Sequence, residues 1–405
     1  MKECDIMKSI LDTDLYKLSM QMAVLELFPD VDVEYKFTNR GNNKFTQEFV
    51  DELQNKINSM NGLILTEMEY QWLKINVPYF NPMYLEYLKN YKFQPCEVGL
   101  NLSLNNDLEI IIKGKWHSTI FWEVPLMSMI SELYFDVMDT DWSIDINSVM
   151  AKQTNLADVK RYQLANADCY YADFGTRRRR SYEIQENFVK VNAMSKDSHF
   201  VGTSNVYLAM KFGIKPIGSV AHEWTQAMQS LNSLNHCNYY AMENWVKVYS
   251  DVQIGTALTD TVGTDMFLKD FNRKLSMLYP SVRHDSGCAF TFTDKIIKHY
   301  EKMGINPTEK TIIFSDGLTV DKAIEIKKYC DGKIKCSFGI GTHFSNDGFK
   351  DSPSLNMVIK LWNVNGLPVV KLSDVNGKAN GDPYAVEYMR WVVKNYTKKV
   401  MKGIV

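Results

Sequence analysis

From Asp173 onward one pattern recurs seven times and constrains the fold more than any other feature: a short apolar segment runs into a polar or glycine cluster, and a helical stretch follows. The clusters are Asp173-Phe174-Gly175-Thr176, Val201-Gly202-Thr203-Ser204, Ile217-Gly218-Ser219-Val220, Leu258-Thr259-Asp260, Val282-Arg283-His284-Asp285-Ser286-Gly287, Ile312-Ile313-Phe314-Ser315-Asp316-Gly317 and Phe338-Gly339-Ile340-Gly341-Thr342. Strands alternating with helices point to a parallel sheet, and seven such units in series fit a βα barrel. In that architecture the loops after the strands share one face, so the pattern predicts that the seven clusters converge there.

The flanking sequence reads differently. Asp12-Thr13-Asp14 supplies cap-type residues ahead of Leu15, Leu18, Met22 and Leu25, which recur at helical spacing until Pro29 and predict an amphipathic helix. Val33, Tyr35 and Phe37 alternate with polar residues as in a half-buried strand; Val98 to Leu104 and Leu108 to Ile112 alternate around Asn105-Asn106-Asp107 as in a hairpin. A second hairpin is expected from Met357–Val364 and Leu367–Leu372 around Asn365-Gly366, then a last helix from about Ala385 to Tyr396. The predicted organisation is an N-terminal α+β domain, residues 1–140, joined by the tail 351–405, and a barrel over 141–350 that carries the chemistry.

Charge narrows the class of ligand. The 46 Lys and Arg against 48 Asp and Glu leave a net charge of −2, so no global field concentrates nucleic acid or an anionic membrane, and an anionic ligand must be held by a local cluster. The seven cysteines are scattered without a C-x-x-C, which predicts reduced thiols and a cytoplasmic protein. The most apolar stretch, Thr119 to Phe135, is broken by Glu123, Pro125 and Glu132, so no membrane span is expected. Neither a P-loop nor a dinucleotide fingerprint occurs. His222-Glu223 lacks the second histidine of a metalloprotease helix because position 226 is Gln, and Gly202-Thr203-Ser204-Asn205-Val206 lacks the closing glycine of a nucleophile elbow.

Several strand ends carry chemistry. Arg177 to Arg180, taken alone, read as a solvated face; directly after a strand end, Arg177 is placed to hold phosphate or carboxylate with its planar fork, the other three being structural. Phe174 is a core aromatic or a stacking surface for a planar ring. Gly339, Gly341 and Thr342 form either a plain turn or a phosphate cradle of free backbone N–H groups, and the late position in a barrel favours the cradle. Asp260, Asp285 and Asp316 each end a strand; three converging carboxylates suit sugar hydroxyls or a Mg²⁺ ion on a substrate pyrophosphate. His222 follows Val220-Ala221, and a structural and a catalytic reading weigh evenly. Together these parts describe a pocket for a phosphorylated sugar and something flat, as a transferase acting at an anomeric carbon requires.

The same residues resemble the nicotinate phosphoribosyltransferase family of the bacterial and yeast kind. Matching stretches run along nearly the whole chain: Thr13-Asp14-Leu15-Tyr16-Lys17, Phe37-Thr38-Asn39-Arg40, Trp122-Glu123-Val124-Pro125, Phe174-Gly175-Thr176-Arg177, Gly202-Thr203-Ser204-Asn205, Ala221-His222-Glu223-Trp224, Leu258-Thr259-Asp260-Thr261, Arg283-His284-Asp285-Ser286-Gly287, Phe314-Ser315-Asp316-Gly317 and Lys371-Leu372-Ser373-Asp374. The resemblance implies an α/β fold, the irregular barrel of type II phosphoribosyltransferases beside an α+β domain, in a homodimer with active sites at the subunit interface. It implies transfer of phosphoribosyl from phosphoribosyl pyrophosphate to nicotinate, giving nicotinate mononucleotide and pyrophosphate, with Mg²⁺ and with ATP as co-substrate. By the same resemblance His222 is the histidine that ATP phosphorylates, Phe174 one side of a pyridine sandwich and Tyr16 of the other subunit its second side. Arg177 is implied at phosphate, Arg283 at the ring carboxylate with Thr203 and Ser204 near it, Asp285 and Asp316 at the ribose, Asp260 near ribose or metal, and Gly339, Gly341 and Thr342 at the 5′-phosphate.

Two departures stand near the sugar site: Cys288-Ala289 where the family pattern has Asp-Pro, and Val262-Gly263 where it has an aromatic residue and Thr. Three alternatives remain at this stage. A nicotinamide-specific enzyme wants an acid near Gly202-Thr203-Ser204, where the local sequence has none. A phosphosugar aldolase or isomerase wants a strand-end Lys, absent from the seven clusters. A nucleic-acid binder using the Arg run would lose affinity steeply with salt.

Overall fold

The computed structural model describes residues 7–218, 220–249, 254–375 and 377–401. Eleven strands are defined among them: β1 Asp32–Asn39, β2 Val98–Leu102, β3 Leu108–Lys115, β4 Tyr171–Asp173, β5 Phe200–Thr203, β6 Thr256–Leu258, β7 Ser281–His284, β8 Thr311–Phe314, β9 Lys335–Ile340, β10 Met357–Val364 and β11 Leu367–Pro368. They form an antiparallel sheet, β11-β10-β1-β3-β2, and a parallel sheet, β5-β4-β9-β8-β7-β6. One continuous apolar core, including the fully buried Trp116, Trp122 and Trp224, joins the two.

The antiparallel sheet follows from alternation. In β1 Val33, Tyr35 and Phe37 are buried while Asp32 and Lys36 face water, and Tyr35 pairs with Ile112 on one side and Leu361 on the other. The β10–β11 turn places Asn365 at φ 49° and Gly366 at φ 77°, the two positive values that a two-residue hairpin turn matching the strand twist requires. Through β10 these two strands of the tail are paired with β1. The last helix, Pro383–Met401, packs elsewhere: the Tyr396 ring meets His236 edge-on at 5.3 Å, and Lys269 lies 5.3 Å from the centroid of the same ring.

In the parallel sheet, Val282, Ile312, Phe314, Phe338 and Ile340 are at most 1% exposed, the two-sided burial that short continuous apolar runs imply. Six of the seven expected units are strands. The third is not: Pro216 makes one isolated bridge to Thr203, and Ser219 lies outside the described residues. Proline carries no N–H for a ladder. Gly218 is drawn against the chain near Tyr16, where a Cβ would stand 2.9 Å from the Tyr16 amide nitrogen. Among the described residues the sheet is therefore open between β5 and β6.

The first helix, Leu15–Leu27, departs from expectation more strongly. Every residue from Leu15 to Val24 is buried, polar ones included, so it is a core helix rather than an amphipathic surface helix. Its polar residues are satisfied internally: Gln21 donates to the His117 carbonyl at 2.7 Å, and Lys17 bridges Glu123 at 2.7 Å and Glu223 at 2.6 Å. Asp12 and Asp14, read as caps, make tertiary contacts, Asp12 with Arg179 at 2.8 Å and Asp14 with Ser204.

Candidate active site

Asp173, fully buried at the end of β4, fixes the first loop: it accepts from Gly175 N at 2.9 Å, Gln185 Nε2 at 2.8 Å and Thr203 Oγ1 at 2.7 Å. Thr203 is thereby engaged within the chain and is not among the residues that line the cavity. The next residue, Phe174, donates its N–H to the Ile340 carbonyl and turns its ring into a cavity of about 220 Å³. Asp14, Tyr16, Arg177, Ser204, Arg283 and Gly339 share that lining.

Tyr16 and Phe174 of one chain thus face the same cavity. The Leu15 N–H to Ser204 carbonyl bond, 2.8 Å, ties the start of the first helix to the end of β5 and brings the chain's own Tyr16 to this cavity, whereas the resemblance implies the Tyr16 of another subunit. One correction concerns charge. Asp14 lies in the cavity, accepting from Ser204 Oγ at 2.7 Å and standing 3.6 Å from Arg177 Nε, so an acid is present that the local sequence around Ser204 did not show. Arg177 and Arg283 outnumber it, and the cavity keeps a net positive balance suited to a flat anion.

Arg283 connects this cavity to a second cluster. Its Nε donates to Ser315 Oγ at 2.8 Å and its Nη2 to Asp285 Oδ1 at 3.0 Å, with the guanidinium 5.9 Å from the Phe174 ring centroid. Asp285 Oδ2 is 3.5 Å from His222 Nε2, which lies 2.9 Å from Asp260 Oδ1. Asp260 Oδ2 accepts from Ser286 Oγ at 2.6 Å and pairs with Lys371 at 3.2 Å. Burial, with Lys371 adding to it, lowers the His222 pKa to about 4. The imidazole is neutral, with Nε2–H donating to Asp260 and Nδ1 keeping its lone pair. Burial pushes the Asp285 pKa up, but Arg283, His222 and Lys371 outweigh it and hold the group at about 2.

Gly341 precedes the short helix Thr342–Ser345, and this loop is stitched to the one after β4: Ser345 Oγ donates to the Gly175 carbonyl at 2.8 Å and Asn346 Nδ2 to the Arg178 carbonyl at 2.9 Å. Lys160, nearly buried, clamps the loop from below through Asp347 at 2.6 Å. Of the Arg run, Arg179 and Arg180 are structural, held by Asp12 and Glu132, and by Asn346 and Ser352. Arg178 is not: it is half-buried, and no side-chain hydrogen bond or ion pair is seen for it among the described residues. Burial, with Arg177 and Arg40 adding repulsion, lowers its pKa to about 10. Asp316 stands apart from the cavity, 3.3 Å from Lys378.

Sequence reasoning missed Asp14, Arg178 and Lys371 as site residues; Asp14 and Lys371 left a signal, in the Thr13-Asp14-Leu15-Tyr16-Lys17 and Lys371-Leu372-Ser373-Asp374 stretches. Of the departures, Gly263, at φ 96°, lets the Thr264 N–H reach Asp374 at 2.9 Å, while Cys288 is exposed at the start of the helix Ala289–Lys302 and makes no side-chain cap bond.

A parallel sheet whose strand ends carry an aromatic, cationic cavity beside a buried His-Asp pair and a glycine-turned loop defines an α/β enzyme that handles a planar anion. The chain belongs to the nicotinate phosphoribosyltransferase family: the model of the nicotinate phosphoribosyltransferase (NAPRTase) family matches residues 169–397 and that of its N-terminal domain matches residues 11–131. It is 48% identical to a nicotinate phosphoribosyltransferase of Methanosarcina mazei, over 96% of this chain and 98% of that one. A Salmonella typhi relative of the same name is 40% identical over 92% of each. Crystal structures of nicotinate phosphoribosyltransferases from Porphyromonas gingivalis (TM-score 0.90, 36% identity, 95% of this chain and 98% of that one) and Vibrio cholerae (TM-score 0.90, 32% identity, 97% and 94%) share the fold. No described helix is long and apolar enough to cross a membrane.

Proposed function

We propose that this enzyme transfers the phosphoribosyl group of phosphoribosyl pyrophosphate to nicotinate, giving nicotinate mononucleotide and pyrophosphate. The observation that carries the reading is the cavity in which Tyr16 and Phe174 accompany Arg177 and Arg283, directly beside the His222–Asp260–Asp285 cluster. The aromatic rings stack on the pyridine and Arg283 holds its carboxylate, leaving the ring nitrogen to attack the anomeric carbon as the bond to pyrophosphate breaks. Asp285, ionised at about 2 and above, faces the positive charge that develops on the ribose, with Asp316 at its rim. Gly341 and Thr342 take the 5′-phosphate, and Arg178 answers the pyrophosphate. Asp260 and Asp285 are the oxygen donors suited to Mg²⁺, which when bound neutralises the leaving pyrophosphate; Lys371 against Asp260 leaves Asp285 the freer of the two.

ATP enters through His222. Nδ1 attacks the terminal phosphorus, ADP leaves with the electron pair of the broken P–O bond, and Asp260 stabilises the histidine through Nε2–H. Water later takes the phosphoryl group as inorganic phosphate, coupling ATP hydrolysis to transfer.

The six strands and the Pro216 bridge are read as the irregular barrel of type II phosphoribosyltransferases, with residues 141–350 its domain and 1–140 plus the tail 351–405 the α+β domain, the tail's last helix reaching across to set Tyr396 against His236 and Lys269 of the barrel domain. A homodimer in the cytoplasm completes the reading, the free thiols at Cys96, Cys169, Cys237, Cys288, Cys330 and Cys336 suiting a reducing compartment. Purified protein given phosphoribosyl pyrophosphate, Mg²⁺ and either nicotinate or nicotinamide tests the substrate: mononucleotide from nicotinate supports it, and product from nicotinamide alone overturns it.

A further inference from the structure

We propose that Gly339 is a positioning residue for the ring site, acting on Phe174 rather than on phosphate. The inference rests on Phe174 being the stacking surface proposed above. Gly339 is buried inside β9, in register with Ala172 of β4. A Cβ built on it would lie 2.2 Å from Phe174 Cε2, 2.4 Å from Cδ2 and 2.8 Å from Cζ, so this side of the ring occupies the space where any side chain would stand. The backbone of Phe174 is held on both sides. Its N–H is bound to the Ile340 carbonyl at 2.8 Å, and the Gly175 carbonyl behind it accepts from Ser345 Oγ at 2.8 Å.

A methyl group at position 339 is therefore relieved only by rotating the Phe174 side chain, which takes the ring out of its plane and into the cavity it lines. Gly339 sets the orientation of the stacking face, and with it the affinity for the planar substrate, while Gly341 and Thr342 keep the phosphate function.

The test is a double-mutant cycle on the full-length enzyme with steady-state kinetics for both substrates. Gly339→Ala is expected to raise the nicotinate KM tenfold or more and to leave the phosphoribosyl pyrophosphate KM within twofold. In a Phe174→Ala background the same change is expected to alter the nicotinate KM by less than twofold, because the colliding ring is gone. That double variant also lacks the clash, so it remains informative should Gly339→Ala alone fold poorly. Additive losses across the cycle, or a rise confined to the phosphoribosyl pyrophosphate KM, would overturn the assignment. Phe174→Ala without effect on the nicotinate KM would instead remove the stacking reading itself, and the proposal with it.

Discussion

Replacing Asp260 by Asn tests how the site prepares His222. Three donors converge on this carboxylate: His222 Nε2 at 2.9 Å on Oδ1, and Ser286 Oγ at 2.6 Å with Lys371 Nζ at 3.2 Å on Oδ2. An asparagine offers a single acceptor oxygen, and two of the three donors, one of them charged, compete for it on the Oδ2 side. The amide NH₂ then faces His222 and forces Nε2 to accept, which moves the imidazole proton to Nδ1 and removes the lone pair that must attack phosphorus. Restoring the working tautomer requires flipping the amide, at the loss of a charge-assisted bond worth about 1.5–3 kcal/mol and a neutral one worth about 1 kcal/mol. About 2.5–4 kcal/mol corresponds to a roughly 70- to 900-fold slower phosphorylation. Rapid-quench measurement of phosphate transfer from labelled ATP to the enzyme reads this directly. Phosphorylation of the Asn variant within threefold of the parent rate would refute the tautomer argument.

Other consequences follow from the same geometry. Arg178→Ala removes a cation for which no side-chain hydrogen bond or ion pair is seen among the described residues, so the phosphoribosyl pyrophosphate KM should rise about 10- to 100-fold with thermal stability unchanged or higher, as kinetics and calorimetry will show. Lys17→Met leaves Glu123 and Glu223 buried without their shared ammonium and should cost about 3–5 kcal/mol in urea unfolding. His222 has its pKa lowered from 6.5 to about 4 in the folded state, so the unfolded chain takes up the proton first as pH falls. Stability should decline from about pH 6.5 to about pH 4 and then level off, by up to about 3 kcal/mol for this group, and His222→Gln should remove that part of the slope in unfolding titrations.

The parts of the fold legible in the sequence are those whose signal is local. Val33, Tyr35 and Phe37 alternate because one face of β1 is buried, and Asn365-Gly366 announces its turn because few residues tolerate two successive positive φ values. The strand-end clusters were legible for the same reason, since polar residues directly after a short apolar run mark where a buried strand reaches the surface.

What was not legible depends on partners far along the chain. The spacing of Leu15, Leu18, Met22 and Leu25 shows one apolar face; that Lys17 on another face is equally buried follows only from Glu123 and Glu223 arriving around it. Asp14 reads as a helix cap until Ser204 and Arg177 are brought against it, and Arg178 is indistinguishable from Arg179 and Arg180 until their counter-charges are placed. At the third expected strand end the cause is local: Pro216, directly before Ile217, cannot donate to a ladder and makes one isolated bridge.

The most direct measurement follows nicotinate mononucleotide, pyrophosphate and ADP together in one reaction of nicotinate, phosphoribosyl pyrophosphate and Mg²⁺, with and without ATP, for the parent enzyme and His222→Ala. Mononucleotide and pyrophosphate are expected in equal amounts, with a gain on adding ATP that is accompanied by ADP, and loss of both the gain and the ADP in His222→Ala. Mononucleotide formation that is absent from the parent enzyme, or an ATP gain that survives in His222→Ala, would contradict it.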